Sequence, residues 1–188
     1  MTIHTRLLFS LLILIVLGIS VSHAKAQGIV VQSVEISHDN GRYALDADIQ
    51  YNLSEVAQEA LHKGVALTFK LTIAVLEPRP LVWDQPIISE ERSYTLNFQA
   101  LTNQYRVQRG DSVLLETFPT LNSALSEIGS LRNIEVALFE RGLRENNEYV
   151  GIRAWLDIES LPVPMRLLAY SQPSWRHNSG WYRWKPNQ

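Results

Sequence analysis

From residue 43 to 53 the chain alternates without a break. Tyr43, Leu45, Ala47, Ile49, Tyr51 and Leu53 fall on one side, Ala44, Asp46, Asp48, Gln50 and Asn52 on the other. Side chains along a strand point to opposite faces in turn, so this period of two predicts a strand with one buried and one wet face. The run 29–37 is rich in Val and Ile and alternates less strictly. His38-Asp39-Asn40-Gly41 stands between the two runs, and Asn-Gly is a strong hairpin signal. The first two elements are therefore expected to form an antiparallel hairpin.

The period then changes. Ser54 is a good N-cap and Gly64 a good stop, and Val56, Ala57, Ala60 and Leu61 fall on one helical stripe between them. Strand character returns over 65–76, with Leu67, Phe69, Leu71, Ile73 and Val75 sharing a face. Glu77-Pro78-Arg79-Pro80 ends it as an edge or a loop, because proline cannot donate to a ladder. Residues 93–101 alternate, 104–108 read as a return strand, Arg109-Gly110-Asp111 as a turn, and 112–118 as another short strand. After Pro119, Thr120 caps a second expected helix. Leu121, Ala124, Leu125 and Ile128 follow the i, i+3, i+4, i+7 pattern there, and Gly129 closes it. Residues 134–140 are short and mixed, Asn146-Asn147 sits in a turn, and 149–159 alternate with Val150, Ile152, Ala154, Leu156 and Ile158 on the apolar face.

Many antiparallel strands joined by two short helices predict a mostly β fold, an antiparallel β-sandwich, with an immunoglobulin-like architecture left open. No internal repeat and no linker divides the chain.

The first 26 residues follow another logic. Arg6 precedes a nearly unbroken apolar run from Leu7 to Val21, and Ala24-Lys25-Ala26 follows. A positive start, a short apolar core and an Ala-x-Ala site are the three parts of a secretory signal peptide, with cleavage expected after Ala26. The run is shorter than the roughly 20 residues of a membrane span. The expected organisation is thus a signal peptide over 1–26 and one domain over 27–188, periplasmic or secreted. If the segment is retained, the domain is anchored to the inner membrane.

The remaining 162 residues suffice for one core and carry 15 basic and 19 acidic side chains, a net charge of −4. A mildly acidic domain lacks the basic stripe that nucleic-acid binding requires. No basic amphipathic helix stands out, so a membrane-surface role has little support from sequence. The absence of cysteine removes thiol catalysis, cysteine–zinc sites and iron–sulfur ligation.

Motifs for nucleotide binding, metalloprotease and serine hydrolase chemistry are missing. His38, His62 and His177 are scattered and read as three surface histidines, so no metal or cofactor is expected. Asp46 and Asp48 share a strand face, and paired acids can bind a cation or act as acid and base. Their face is predicted wet, where two aspartates more simply aid solubility. Arg153 lies on the same strand side as Tyr149, Gly151, Trp155 and Asp157, a setting for an Arg–aromatic contact or for ordinary cross-strand packing.

The C-terminal segment is the most distinctive. Trp175, Trp181 and Trp184 are three of the five tryptophans, with Tyr182 and Arg183 among them. In a strand, Trp181 and Arg183 face one way and Tyr182 and Trp184 the other. Trp, Tyr and Arg dominate binding hot spots. Trp175, Trp181, Tyr182, Arg183, Trp184, Arg153 and Trp155 therefore form the candidate interaction patch. The alternative is a last strand whose aromatics plug the sandwich.

Five segments carry a family resemblance: Tyr43-Ala-Leu-Asp-Ala-Asp48, Ala100-Leu-Thr-Asn-Gln-Tyr-Arg-Val107, Phe118-Pro-Thr-Leu121, Leu161-Pro-Val-Pro164 and Ser179-Gly-Trp-Tyr-Arg-Trp184. The chain resembles the bacterial domain-of-unknown-function family 4390 over nearly all of the mature part. The resemblance implies an exported protein of Gram-negative bacteria and brings no reaction, ligand or catalytic residue. Members are sometimes encoded beside a membrane sensor histidine kinase, which implies a periplasmic or membrane protein partner. The expectation is a non-catalytic interaction or sensing module of the envelope. The competing expectations are an enzyme acting on envelope glycans and a structural envelope component.

Overall fold

The computed structural model describes residues 28–39, 42–79, 85–135 and 148–184. The expected signal segment with Ala24 and Ala26, the Asn40-Gly41 turn, Pro80, residues 136–140 and the Asn146-Asn147 turn lie outside the described residues.

Strands β1 (Gly28–Asp39) and β2 (Arg42–Asn52) pair antiparallel from Gly28↔Asn52 to Asp39↔Arg42, with a bulge between Val31 and Ser33. The hairpin expected from alternation is thus present. Helix α1 (Glu55–His62) follows, and the Ser54 hydroxyl accepts the Ala57 amide at its start. Ala57, Ala60 and Leu61 are buried as the stripe requires, but Val56 lies off it and is exposed. Strand β3 (Leu67–Glu77) runs through the centre of the larger sheet and stops before Pro78.

Strands β4 (Gln85–Gln99), β5 (Gln104–Arg109) and β6 (Leu115–Phe118) continue from β3 as an antiparallel meander. Helix α2 (Leu121–Gly129) is held by a reciprocal Thr120–Ser123 capping box and leads directly into β7 (Ser130–Glu135). Strand β8 (Tyr149–Leu156), a 3-10 turn (Ile158–Ser160), helix α3 (Val163–Ser171), a second 3-10 turn (Pro173–Trp175) and β9 (Tyr182–Trp184) complete the fold.

The three-stranded sheet has the order β1-β2-β7 and the six-stranded sheet the order β6-β5-β4-β3-β8-β9. Their inner faces share one core. Ile29, Val31, Leu45, Ala47, Ile49 and Tyr51 of the smaller sheet belong to it with Phe69, Leu71, Ile73, Val150, Ile152 and Ala154 of the larger. Tyr51 and Phe69 meet edge to face at 5.1 Å between centroids. Each buried Val, Leu, Ile or Phe among them contributes about 1.5–3 kcal/mol on burial. A one-residue slip of register would turn the whole set outward, so alternation specifies the pairing. The sandwich is as expected, and its strand order is a meander extended by β8 and β9 on the other flank of β3.

Gly129 does not close α2 as a left-handed cap. A Cβ there would overlap the Ile49 carbonyl oxygen. Glycine is needed so that the helix end can lie against the β2 backbone.

Among the described residues the helix count differs from expectation, because α3 makes three. Pro162 and Pro164 look like breakers, yet they occupy the N-cap and the first turn. The amides missing there have no helical partner to lose.

Candidate functional site

The C-terminal segment folds back along β8. The Leu156 amide donates to the His177 carbonyl at 2.9 Å, and the Ser179 amide donates to the Ala154 carbonyl at 2.9 Å. The Ser179 hydroxyl accepts the Ala154 amide at 3.0 Å, and Trp155 bridges Asn178. Gly180, at φ 66°, turns the chain before β9 resumes the ladder with Val150↔Trp184 and Ile152↔Tyr182. The segment is therefore the edge of the larger sheet, and its aromatics part to opposite sides.

On the inner side, Trp175 is only 2 % exposed and belongs to the main core. This corrects its place in the expected patch: a side chain this deep is unavailable to a partner. Trp184 is half-buried and packs against the same core. Tyr182 is exposed at the sheet edge.

On the outer side, Trp181 packs against Ala74, Leu76 and Tyr149, a small apolar cluster separate from the core. Gly151 makes room for it, because a Cβ there would overlap Leu76 Cδ1 and sit 2.9 Å from Trp181 Cε3. The Arg183 guanidinium lies 5.5 Å from the Tyr149 ring centroid, and that of Arg153 lies 5.1 Å from Trp155. Arg153 Nε also donates to Asn178 Oδ1 at 3.2 Å. Further across this face, Lys70 pairs with Glu91 and Asp157 at 3.1 and 3.5 Å, and hydrogen bonding to Glu91 raises its pKa. The outer face thus presents two Arg–aromatic stacks flanking Trp181. Four residues of the expected patch, Arg153, Trp155, Trp181 and Arg183, meet on this face, while Tyr182 lies exposed on the opposite side with Trp184, and Trp175 is in the core.

His177 was expected at the surface. It is 3 % exposed, and its Nε2 accepts the Ser54 amide at 2.9 Å, at the start of α1. The sequence misplaces it because nothing local shows that the chain doubles back. Its neutral ring then carries the proton on Nδ1, which is buried without a hydrogen-bond partner. Burial lowers its pKa, partly offset by the nearby Trp175 carbonyl. His62 remains exposed and pairs with the Tyr105 hydroxyl at 2.7 Å, with Phe98 edge-on at 4.9 Å. The His38 side chain lies outside the described residues.

Asp46 and Asp48 are both exposed on the outer face of the smaller sheet. Asp48 accepts from Arg132 and from the Ser33 hydroxyl, and Asp46 accepts the Asn133 amide. The Arg132 hydrogen bond, aided by Ser33, holds the Asp48 carboxyl below its ordinary range. A carboxyl so held is no proton donor near neutral pH, and both acids serve to tie β7 to β2. Two adjoining shallow depressions, of about 270 and 390 Å³, lie beside α2 and share Ile49, Gln50 and Ser126. Asn52 and Asn122 add to the polar lining of the first, and Gln32, Asp48 and Ser130 to that of the second. Among the described residues no three His, Asp or Glu side chains gather as a metal-holding group.

The family model described as Domain of unknown function (DUF4390) matches residues 26–185, nearly the whole chain. The chain belongs to the DUF4390 family. No curated protein and no solved structure matches it. For this DUF4390 chain the match spans every described element, from β1 to β9, so the sandwich and the folded-back segment together make up the family's domain.

Proposed function

We propose that this DUF4390 domain is an exported, non-catalytic interaction or sensing module of the bacterial envelope. The observation that carries the proposal is the outer face of β8, where Arg153 over Trp155 and Arg183 over Tyr149 flank Trp181. Arginine and aromatic side chains on a rigid sheet supply large contact area at low entropic cost, the usual makeup of a protein-binding hot spot. The partner is a periplasmic or membrane protein, and the resemblance favours a sensor kinase. Export is supported by the three-part signal pattern and by a family match that starts at residue 26, next to the expected cleavage point.

The test is cross-linking of tagged protein in the periplasm of intact cells. Arg153→Ala with Arg183→Ala should lose the captured partner while thermal unfolding stays within a few degrees of the parent, since both arginines lie outside the core. Capture of the same partner by the double variant would remove this face as the site. N-terminal sequencing of the exported protein should find Gln27.

A further inference from the structure

Helix α3 turns its apolar side outward. Val163, Leu167 and Tyr170 fall at i, i+4 and i+7, hence on one face, and all three are exposed, Leu167 by 75 %. Leu168 extends the face and is exposed too, whereas only Ala169 is buried and Met165 half-buried on the side toward the protein. Scattered exposed apolar residues are ordinary, but four on a nine-residue helix make a patch that marks an interaction surface.

Charge and position identify the occupant. All 19 acidic side chains precede residue 161, while the last 28 residues carry Arg166, Arg176, Arg183 and Lys185. The chain is thus strongly acidic up to α3 and purely cationic from it onward. Arg166 and Arg176 belong to α3 and its C-terminal flank, donating to the Leu161 and Tyr170 carbonyls. Glu55 and Glu159 are exposed acids near this end, so the apolar stripe carries most of the attraction and the arginines bias it.

The helix also sits where the chain enters the domain. Gly28 pairs with Asn52, and Ser54 just beyond is held by His177, which follows the 3-10 turn packed against α3 and α1. The apolar run ending at Val21 is joined to Gly28 by six residues, which reach at most about 25 Å. While that run is in a bilayer, this end of the sandwich lies beside it.

We propose that α3 docks on an anionic phospholipid surface. Val163, Leu167, Leu168 and Tyr170 enter the boundary between headgroups and acyl chains, with Arg166 and Arg176 at the phosphates, as an interfacial amphipathic helix does. The docking orients the domain and leaves the outer face of β8 to a protein partner.

The chain has no cysteine, so one introduced cysteine places a unique reporter. The full chain carrying Leu167→Cys is labelled with an environment-sensitive fluorophore, its fold checked by circular dichroism, and mixed with phosphatidylglycerol–phosphatidylcholine vesicles. The label should shift to shorter wavelength and be quenched by brominated acyl chains. The same label at Leu101→Cys, fully exposed in the turn between β4 and β5, should stay in water and controls for mere tethering by the N-terminal segment. Val163→Asp placed with the labelled cysteine should weaken partition at least about tenfold. A label at 167 that behaves like the label at 101 overturns the proposal. So does one that leaves water only when the cross-linked partner protein is added, which would assign α3 to a protein interface.

Discussion

The His177 side chain couples the C-terminal segment to the start of α1 through a single nitrogen. Its Nε2 takes the Ser54 amide, and a protonated ring could not, since both nitrogens would then be donors. Burial lowers its pKa below the ordinary 6.5, so in the window just below 6.5 the unfolded chain binds more protons than the folded one. Stability therefore rises with pH through that window and is lost as pH falls from about 6.5 toward the folded value. Denaturant midpoints taken from pH 7.5 to 5.5 should fall for the parent. His177→Ala should cost about 2–4 kcal/mol at pH 7.5, from the unpaired Ser54 amide and the cavity. It should also flatten the slope, and a variant with the parent's full slope would place the titration elsewhere.

Gly129 makes a second residue-scale case. Its backbone is not left-handed, so alanine carries no conformational strain there, yet its Cβ would meet the Ile49 carbonyl. Gly129→Ala should destabilise by about 2 kcal/mol or more, measured by urea unfolding, because backbone cannot yield as a flexible side chain does. A neutral effect would show that α2 does not lie this tightly on β2.

At the scale of elements, legibility followed from which force shapes each one. Strand β2, helix α1 and helix α2 are set by burial on one face, so their period appears in the residues. The first half of β4 runs Gln85-Pro86-Ile87-Ile88-Ser89-Glu90-Glu91, mostly exposed, and is held by its pairing to β3 rather than by burial. Its residues carry no period, and alternation reveals only the part from Ser93 onward. Strand β6 is similarly exposed and shorter than its sequence run. Helix α3 was hidden by prolines and by an apolar face that points away from the core. The same property that concealed it motivates its docking on lipid. The opposed directions of Trp181 and Trp184 were legible from period two, but the depth of Trp175 and His177 was not, since both depend on the chain returning across β8. The site's own element-scale test is Gly151→Ala. The added methyl should push Trp181 off Leu76, red-shifting the tryptophan emission and costing about 1–3 kcal/mol.

For the whole molecule, the question is how far the C-terminal segment is structure and how far it is surface, and two truncations separate these roles. Ending the chain at Gln172 removes Trp175 and His177, one from the main core and one from the start of α1. Losing a buried tryptophan alone costs about 3–5 kcal/mol, a large share of the 5–15 kcal/mol that holds a domain of this size. That truncation should therefore lose cooperative unfolding or stay insoluble. Ending at Gly180 keeps Trp175, His177 and the Ser179 bonds to Ala154, and removes only Trp181 onward. What it exposes is the small outer cluster of Ala74, Leu76 and Tyr149 together with the rim packed by Trp184. The shorter chain should fold cooperatively, with a midpoint lowered by about 2–4 kcal/mol in equivalent stability. It should also fail to capture the partner, because the Trp181 and Arg183 contacts are gone. If the Gly180 truncation unfolded as completely as the Gln172 one, the outer aromatics would be core in energetic terms, and Arg153 with Trp155 would be left as the whole of the exposed site.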